Sequence, residues 1–270
     1  MMEPMFDLIR GDGPLVISMP HCGTALSPGL AERLTPEALT LRDTDWHIPQ
    51  LYAFAERLGA TRLSARFSRC VVDLNRPPDG ASLYPGQATT GLCPDTLFDG
   101  QPLYKDGQAP DAAEIAERVA RYWRPYHDAL AAELAQAKAR HGFALLYDAH
   151  SIRSRVPRLF DGRLPDLNLG TARGTSAAPD LIAAVVATME RATAAEGLTC
   201  VADGRFVGGH ITRFYGRPAD DVHALQMELA QDQYMDEDAP PFAYRPDRAE
   251  RLQRVLRPLL ETLAGWRPDA

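Results

Sequence analysis

The sequence has little with which to cross or bind a membrane. No window approaches the roughly 18 consecutive apolar residues of a membrane-spanning helix, and the opening MMEPMFDLIRGDG lacks the basic start and apolar run of an export signal. Excess positive charge is also missing. There are 29 basic and 36 acidic residues, a net charge of −7, which argues against nucleic acid or an anionic membrane as a general partner. Any anion site must be built locally, from a few placed arginines. The cysteines Cys22, Cys70, Cys93 and Cys200 are scattered with no CxxC pair. They read as reduced thiols of a cytoplasmic protein, not as a disulfide framework or a sulfur-ligated zinc site. No GxSxG elbow is present, which argues against a serine hydrolase of that type. No glycine pattern follows a strand as a nucleotide enzyme would require. Repeats, low-complexity tracts and an evident linker are lacking too.

What is present is a chain of 270 residues, 45% hydrophobic and 24% charged, enough for one large core and too apolar for disorder. Strands are predicted at Leu15 to Met19, Cys70 to Leu74, Phe143 to Tyr147, Leu198 to Ala202 and Val222 to Leu229. Helices are predicted over 49–58, 111–141, 180–196 and 247–265, with Gly59 and Gly142 as stops and Pro125 as a kink. Residues 79–110 and most of 151–178 read as loop. This alternation predicts an α/β fold, a mainly parallel mixed sheet with helices on both faces, in a single domain over 1–270.

The polar signals cluster after apolar runs: His21 after LVISM, Asn75-Arg76 after CVVDL, and His150 after LLYDA. Ligands of open α/β sheets bind beyond the carboxyl ends of the strands. Two imidazoles and one carboxylate are the protein ligands of many catalytic zinc sites. The carboxylate-rich stretch Arg42-Asp43-Thr44-Asp45-Trp46-His47 lies between the two histidines in sequence and offers the third ligand. Asp148 is placed either to orient His150 or to serve as a turn residue. Arginine suits a carboxylate because it binds bidentately. Arg76 with Asn75, Arg153 and Arg213 are therefore candidates for an anionic ligand, against the plainer reading of surface ion pairs or turns. Glu228 inside VHALQMEL is costly to bury unpaired. It is either an edge residue facing water or a general base tuned by burial.

The segments MPHCGT (19–24), DTDWHIPQLY (43–52), SRCVVDLNRP (68–77), YDAHSIRS (147–154), LNLGTARGTSA (167–177), GGHITRFYGRP (208–218) and LQMEL (225–229) together resemble the N-formylglutamate amidohydrolase family. The DLNR and DAHSIR segments are more distantly similar to the succinylglutamate desuccinylase and aspartoacylase group. That resemblance implies a zinc-carboxypeptidase-like (phosphorylase/hydrolase-like) fold. It implies hydrolysis of N-formyl-L-glutamate, a dianionic small molecule of histidine catabolism, with Zn2+ or another divalent metal as cofactor. It implies His21 and His150 as metal ligands. Because Thr24 stands where the carboxypeptidase-like proteins carry a glutamate ligand, the carboxylate is expected from the DTDW stretch, Asp45 before Asp43. Asn75, Arg76, Arg153 and Arg213 are then substrate-binding residues, Glu228 is the base, and His210 has no assigned role. An amidohydrolase for other N-acyl acidic amino acids, or a non-catalytic metal-binding module, is the competing expectation.

Overall fold

The computed structural model describes residues 4–81 and 89–268; part of the loop expected over 79–110 therefore lies outside the described residues. Among them, seven strands form one sheet: β1 Phe6–Ile9, β2 Leu15–Met19, β3 Thr61–Ala65, β4 Ala144–Ile152, β5 Leu167–Gly170, β6 Cys200–Ala202 and β7 Val222–Ala230. Their order across the sheet is β1-β3-β2-β4-β7-β5-β6. The centre, β3-β2-β4-β7, is parallel throughout. β1 and β5 join antiparallel, and β6 pairs parallel to β5 at the far edge. The fold is thus the mainly parallel mixed α/β sheet that the sequence predicts.

The helices are α1 Leu30–Arg33, α2 Pro36–Leu39, α3 Ile48–Leu51, α4 Ala112–Arg118, α5 Arg124–His141, α6 Pro179–Glu196, α7 His210–Tyr215 and α8 Pro246–Gly265. Between α4 and α5 the chain widens into a π-type turn, Val119–Trp123. Pro125 explains it, because proline has no N–H to give the preceding turn and its ring crowds the carbonyl four residues back. Gly142 and Gly197 end α5 and α6 in left-handed conformations, as terminal glycines do.

Two apolar layers sandwich the sheet. Leu145, Tyr147 and Ala149 of β4 face one layer with Leu225, Met227 and Leu229 of β7, covered by α6 and α8. Ala144 and Leu146 face the other with Val222 and Ala224, alongside α5 residues Tyr126, Leu130 and Leu134. On this second face the alternation continues past Leu146 into Asp148 and His150, and past Ala224 into Gln226 and Glu228. One side of the central strands is therefore apolar at its start and polar at its end.

Three expectations need correction. Cys70 to Leu74 is not a strand but a buried turn. Its carbonyls are satisfied by the Arg118 guanidinium, which donates to Cys70 and Val71, and the Asp73 amide donates to Leu92. A sheet ladder is not needed to bury it. β4 runs to Ile152, so His150 lies within the strand and does not end it. Glu228 is not on an edge, since β7 is flanked by β4 and β5.

Candidate metal centre and active-site cavity

Parallel pairing of β4 and β7 sets His150 opposite Glu228 and Asp148 opposite Gln226. His21 follows the end of β2, the neighbour of β4 on its other side. The turn carrying Asp45 is tied to it by a backbone hydrogen bond from Asp45 N to the His21 carbonyl, 3.0 Å. Three segments far apart in sequence thus meet at one point.

His150 Nδ1 lies 3.1 Å from His21 Nδ1 and 3.2 Å from Asp45 Oδ2, and His21 Nδ1 lies 3.8 Å from the same oxygen. All three residues are buried. The opposite nitrogen of each ring is held by a carboxylate: His21 Nε2 by Asp73 at 2.7 Å and His150 Nε2 by Asp148 at 2.8 Å. A carboxylate can only accept, so each Nε2–H donates and each Nδ1 turns a lone pair to the shared point. Two lone pairs and a carboxylate oxygen facing one another repel unless something positive lies between them.

A proton on His150 Nδ1 is one such positive charge. Burial and the nearby Arg69 push His21 down, whereas Asp148 and Asp45 lift His150 well above the ordinary histidine range against its burial. Although burial opposes ionisation of Asp73, His21 and Arg69 hold its carboxyl well below the usual range. Asp45 Oδ1 and Asp148 Oδ1 are buried without a hydrogen-bond partner. Tetrahedral zinc with nitrogens at 2.0–2.1 Å separates its ligand atoms by about 3.3 Å, close to the spacing seen here. His21, Asp45 and His150 therefore fit a divalent cation with open coordination, and Asp73 and Asp148 fit the supporting carboxylates that such histidines need.

Asp43 points elsewhere: it accepts from the Phe98 amide at 2.7 Å and faces Arg153 at 3.5 Å. Of the two aspartates, Asp45 is the one that meets the histidines.

His21 and His150 line a cavity whose wall also includes Glu228, Gln226, Asn75, Arg69, Arg76 and Arg205. Burial pushes the Glu228 carboxyl well above the usual glutamate range, with the charged His150 opposing. Asn75 is fully engaged. Its Oδ1 accepts from the Ile211 amide at 2.8 Å, and its Nδ2 donates to Asp148 at 3.3 Å, beside His150 Nε2. Gly209 packs against this amide so closely that a Cβ there would fall 2.3 Å from Asn75 Nδ2. The GGHITR stretch thus acts as a backplate for Asn75. His210 turns away and stacks on Phe214, 5.1 Å between ring centroids.

The match to known proteins is now decisive. The model of the N-formylglutamate amidohydrolase family covers residues 13–235. The chain belongs to that family. Within it, the chain is 58% identical over 265 residues to the N-formylglutamate deformylase of Pseudomonas aeruginosa, spanning 98% of both chains. It is 51% identical to the N-formylglutamate deformylase of Pseudomonas putida, over 98% of this chain and 97% of that one. Its structure is similar to that of the N-formylglutamate amidohydrolase from Ralstonia eutropha, with a TM-score of 0.79, 26% identity and coverage of 96% and 97%.

Set against this amidohydrolase fold, the structure gathers His21, His150, Asn75, Arg76 and Glu228 on the wall of one cavity, with Asp45 against the two histidines. It places Arg153 on Asp43, and Arg213 beside a separate surface cavity with Arg173 and Ser176. Sequence reasoning did not single out Asp73, Arg69 or Arg205. Asp73 was legible as the aspartate of DLNR, two residues before Asn75, but the segment read as a strand and hid it.

Proposed function

We propose that this protein hydrolyses N-formyl-L-glutamate to formate and L-glutamate. The observation that carries the reading is a buried His-Asp-His trio beside a buried glutamate, in a cavity walled by arginines. The names of the two close relatives support the substrate.

His21, Asp45 and His150 would hold a divalent metal, zinc by preference for this ligand set; bound there, it supplies a water acidified to a pKa near 7 and a polarised carbonyl. Asp73 and Asp148 keep both imidazoles in the Nδ1-facing orientation. Arg76 binds a substrate carboxylate: its present partners are the Thr90 hydroxyl and the carbonyls of Thr90 and Asn75, all uncharged. Glu228, made basic by burial, takes the proton of the attacking water and passes it to the departing amine nitrogen. Arg69, paired with Asp73 at 2.7 Å, adds positive charge where the oxyanion develops. Arginines in a protein of net charge −7 are accounted for by a substrate with two negative charges.

The test is glutamate release from N-formyl-, N-acetyl- and N-succinyl-L-glutamate, as purified, after chelation and after zinc is restored. Formyl-selective, chelator-sensitive turnover is expected. Turnover of only the longer acyl groups would move the substrate to another N-acyl acidic amino acid, and no turnover with metal bound would overturn the reading.

A further inference from the structure

A dianionic substrate needs a second cationic contact, and neither Arg153 nor Arg213 is on the cavity wall. Arg153 is half-buried against Asp43, and Arg213 donates from Nε to the Gly208 carbonyl at 2.9 Å. Arg69 is already matched by Asp73. Arg76 follows Asn75, whose Nδ2 lies 3.0 Å from His150 Nε2, so it sits close to the trio. On the proposed reading it takes the carboxylate nearest the scissile amide, on the Cα that bears the formylated nitrogen.

The side-chain carboxylate lies two methylenes further out. Part of the same cavity wall has a different character: Ile152, Leu159 and Phe206 belong to a small apolar cluster apart from the two main layers. Arg205 stands at this cluster. Its Nε donates to the Leu159 carbonyl at 2.7 Å and its guanidinium lies 5.4 Å from the Phe206 ring centroid. A carbonyl and a ring together fix the plane of the guanidinium, which arginine needs to meet a carboxylate with two parallel bonds.

We infer that Arg205 is the specificity-determining residue that holds the side-chain carboxylate of the substrate, while its methylenes pack on Ile152 and Leu159. This rests on the proposed hydrolysis of N-formyl-L-glutamate. It makes Arg205 a selector of glutamate over its uncharged amide. The loop 203–209 then carries selectivity at Arg205 and support for Asn75 at Gly209.

The experiment compares kcat and KM of the zinc-loaded wild type, Arg205→Gln and Arg205→Lys on N-formyl-L-glutamate and on N-formyl-L-glutamine, which differs only in the side-chain charge. The wild type should prefer the glutamate compound. Arg205→Gln should lose on the order of 10- to 100-fold in kcat/KM on that compound, mostly through KM, the range expected for a lost charged hydrogen bond. Its value on the glutamine compound should hardly move, so the preference collapses; Arg205→Lys should retain part of it. Thermal melting and circular dichroism verify folding. An equal loss on both compounds, or an unchanged ratio, in a folded variant overturns the assignment. Failure of the wild type to hydrolyse N-formyl-L-glutamate is a different result, which removes the proposed function and this assignment with it.

Discussion

At the scale of single residues, the centre depends on which nitrogen of each imidazole faces inward. Asp73 and Asp148 decide that, and neither touches the shared point. Glu228 is a different kind of participant, because its value lies in exchanging a proton. Glu228→Gln keeps shape and burial but cannot accept one. The expected result is unchanged metal content with kcat lower by about 10²–10⁴-fold, the usual contribution of a positioned acid–base group. Elemental analysis beside steady-state kinetics checks both halves, and an unaltered kcat would remove Glu228 as the base. His21, His150 and Glu228 were legible because each breaks the apolar character of its surroundings, whereas Asp45 was reached through the family resemblance. Arg69 and Arg205 were not legible, since a charged residue in a turn or loop looks like ordinary surface until the fold shows what it faces, and Asp73 was hidden by the strand expected over Cys70 to Leu74.

At the scale of elements, α5 and α7 are locked to the turn after Val72 through His127. Its Nε2–H donates to the Leu74 carbonyl at 2.8 Å, its Nδ1 meets the Tyr215 hydroxyl at 3.0 Å, and its ring stacks 3.6 Å from Trp123. Burial lowers its pKa to about 3, against about 6.5 for an unfolded histidine. The unfolded chain therefore takes up this proton first. The stabilisation is complete above pH 6.5 and is lost progressively as pH falls from there toward about 3. His210 and His223, also lowered by burial, act in the same sense. His127→Gln should be less stable at pH 8 but show a shallower decline of melting temperature between pH 6.5 and 4. A parallel decline in both proteins would mean that His127 is not a source of the acid sensitivity. The elements missed in the sequence share one trait, shortness without clean alternation. β1 is a four-residue edge, β3 carries Arg62 and Ser64 in TRLSA, and β5 is the four residues LNLG before a turn. Pairing with neighbours, not local pattern, makes them strands. The long helices and the strands β2, β4 and β7 carry enough periodicity to be read without that help.

At the scale of the whole molecule, a divalent metal that binds only the folded chain must stabilise all of it. At a free concentration a hundred times its dissociation constant the gain is about 2.7 kcal/mol. Zinc added to the chelated protein should therefore raise the melting temperature by several degrees, and His150→Ala should abolish the rise; a wild type indifferent to zinc would count against the trio as a metal centre. The same wholeness bears on how the protein can change. In the second halves of β4 and β7 every second side chain belongs to the core and the next to the chemistry, and His150 is aligned with Glu228 by the register that buries Tyr147 beside Leu225. One residue added to or removed from either strand would turn oil toward the substrate and charge toward the core at once. Lineages of this fold are thus free to lengthen their loops, but these two strands are closed to insertion and deletion, and new specificities must come from the rim.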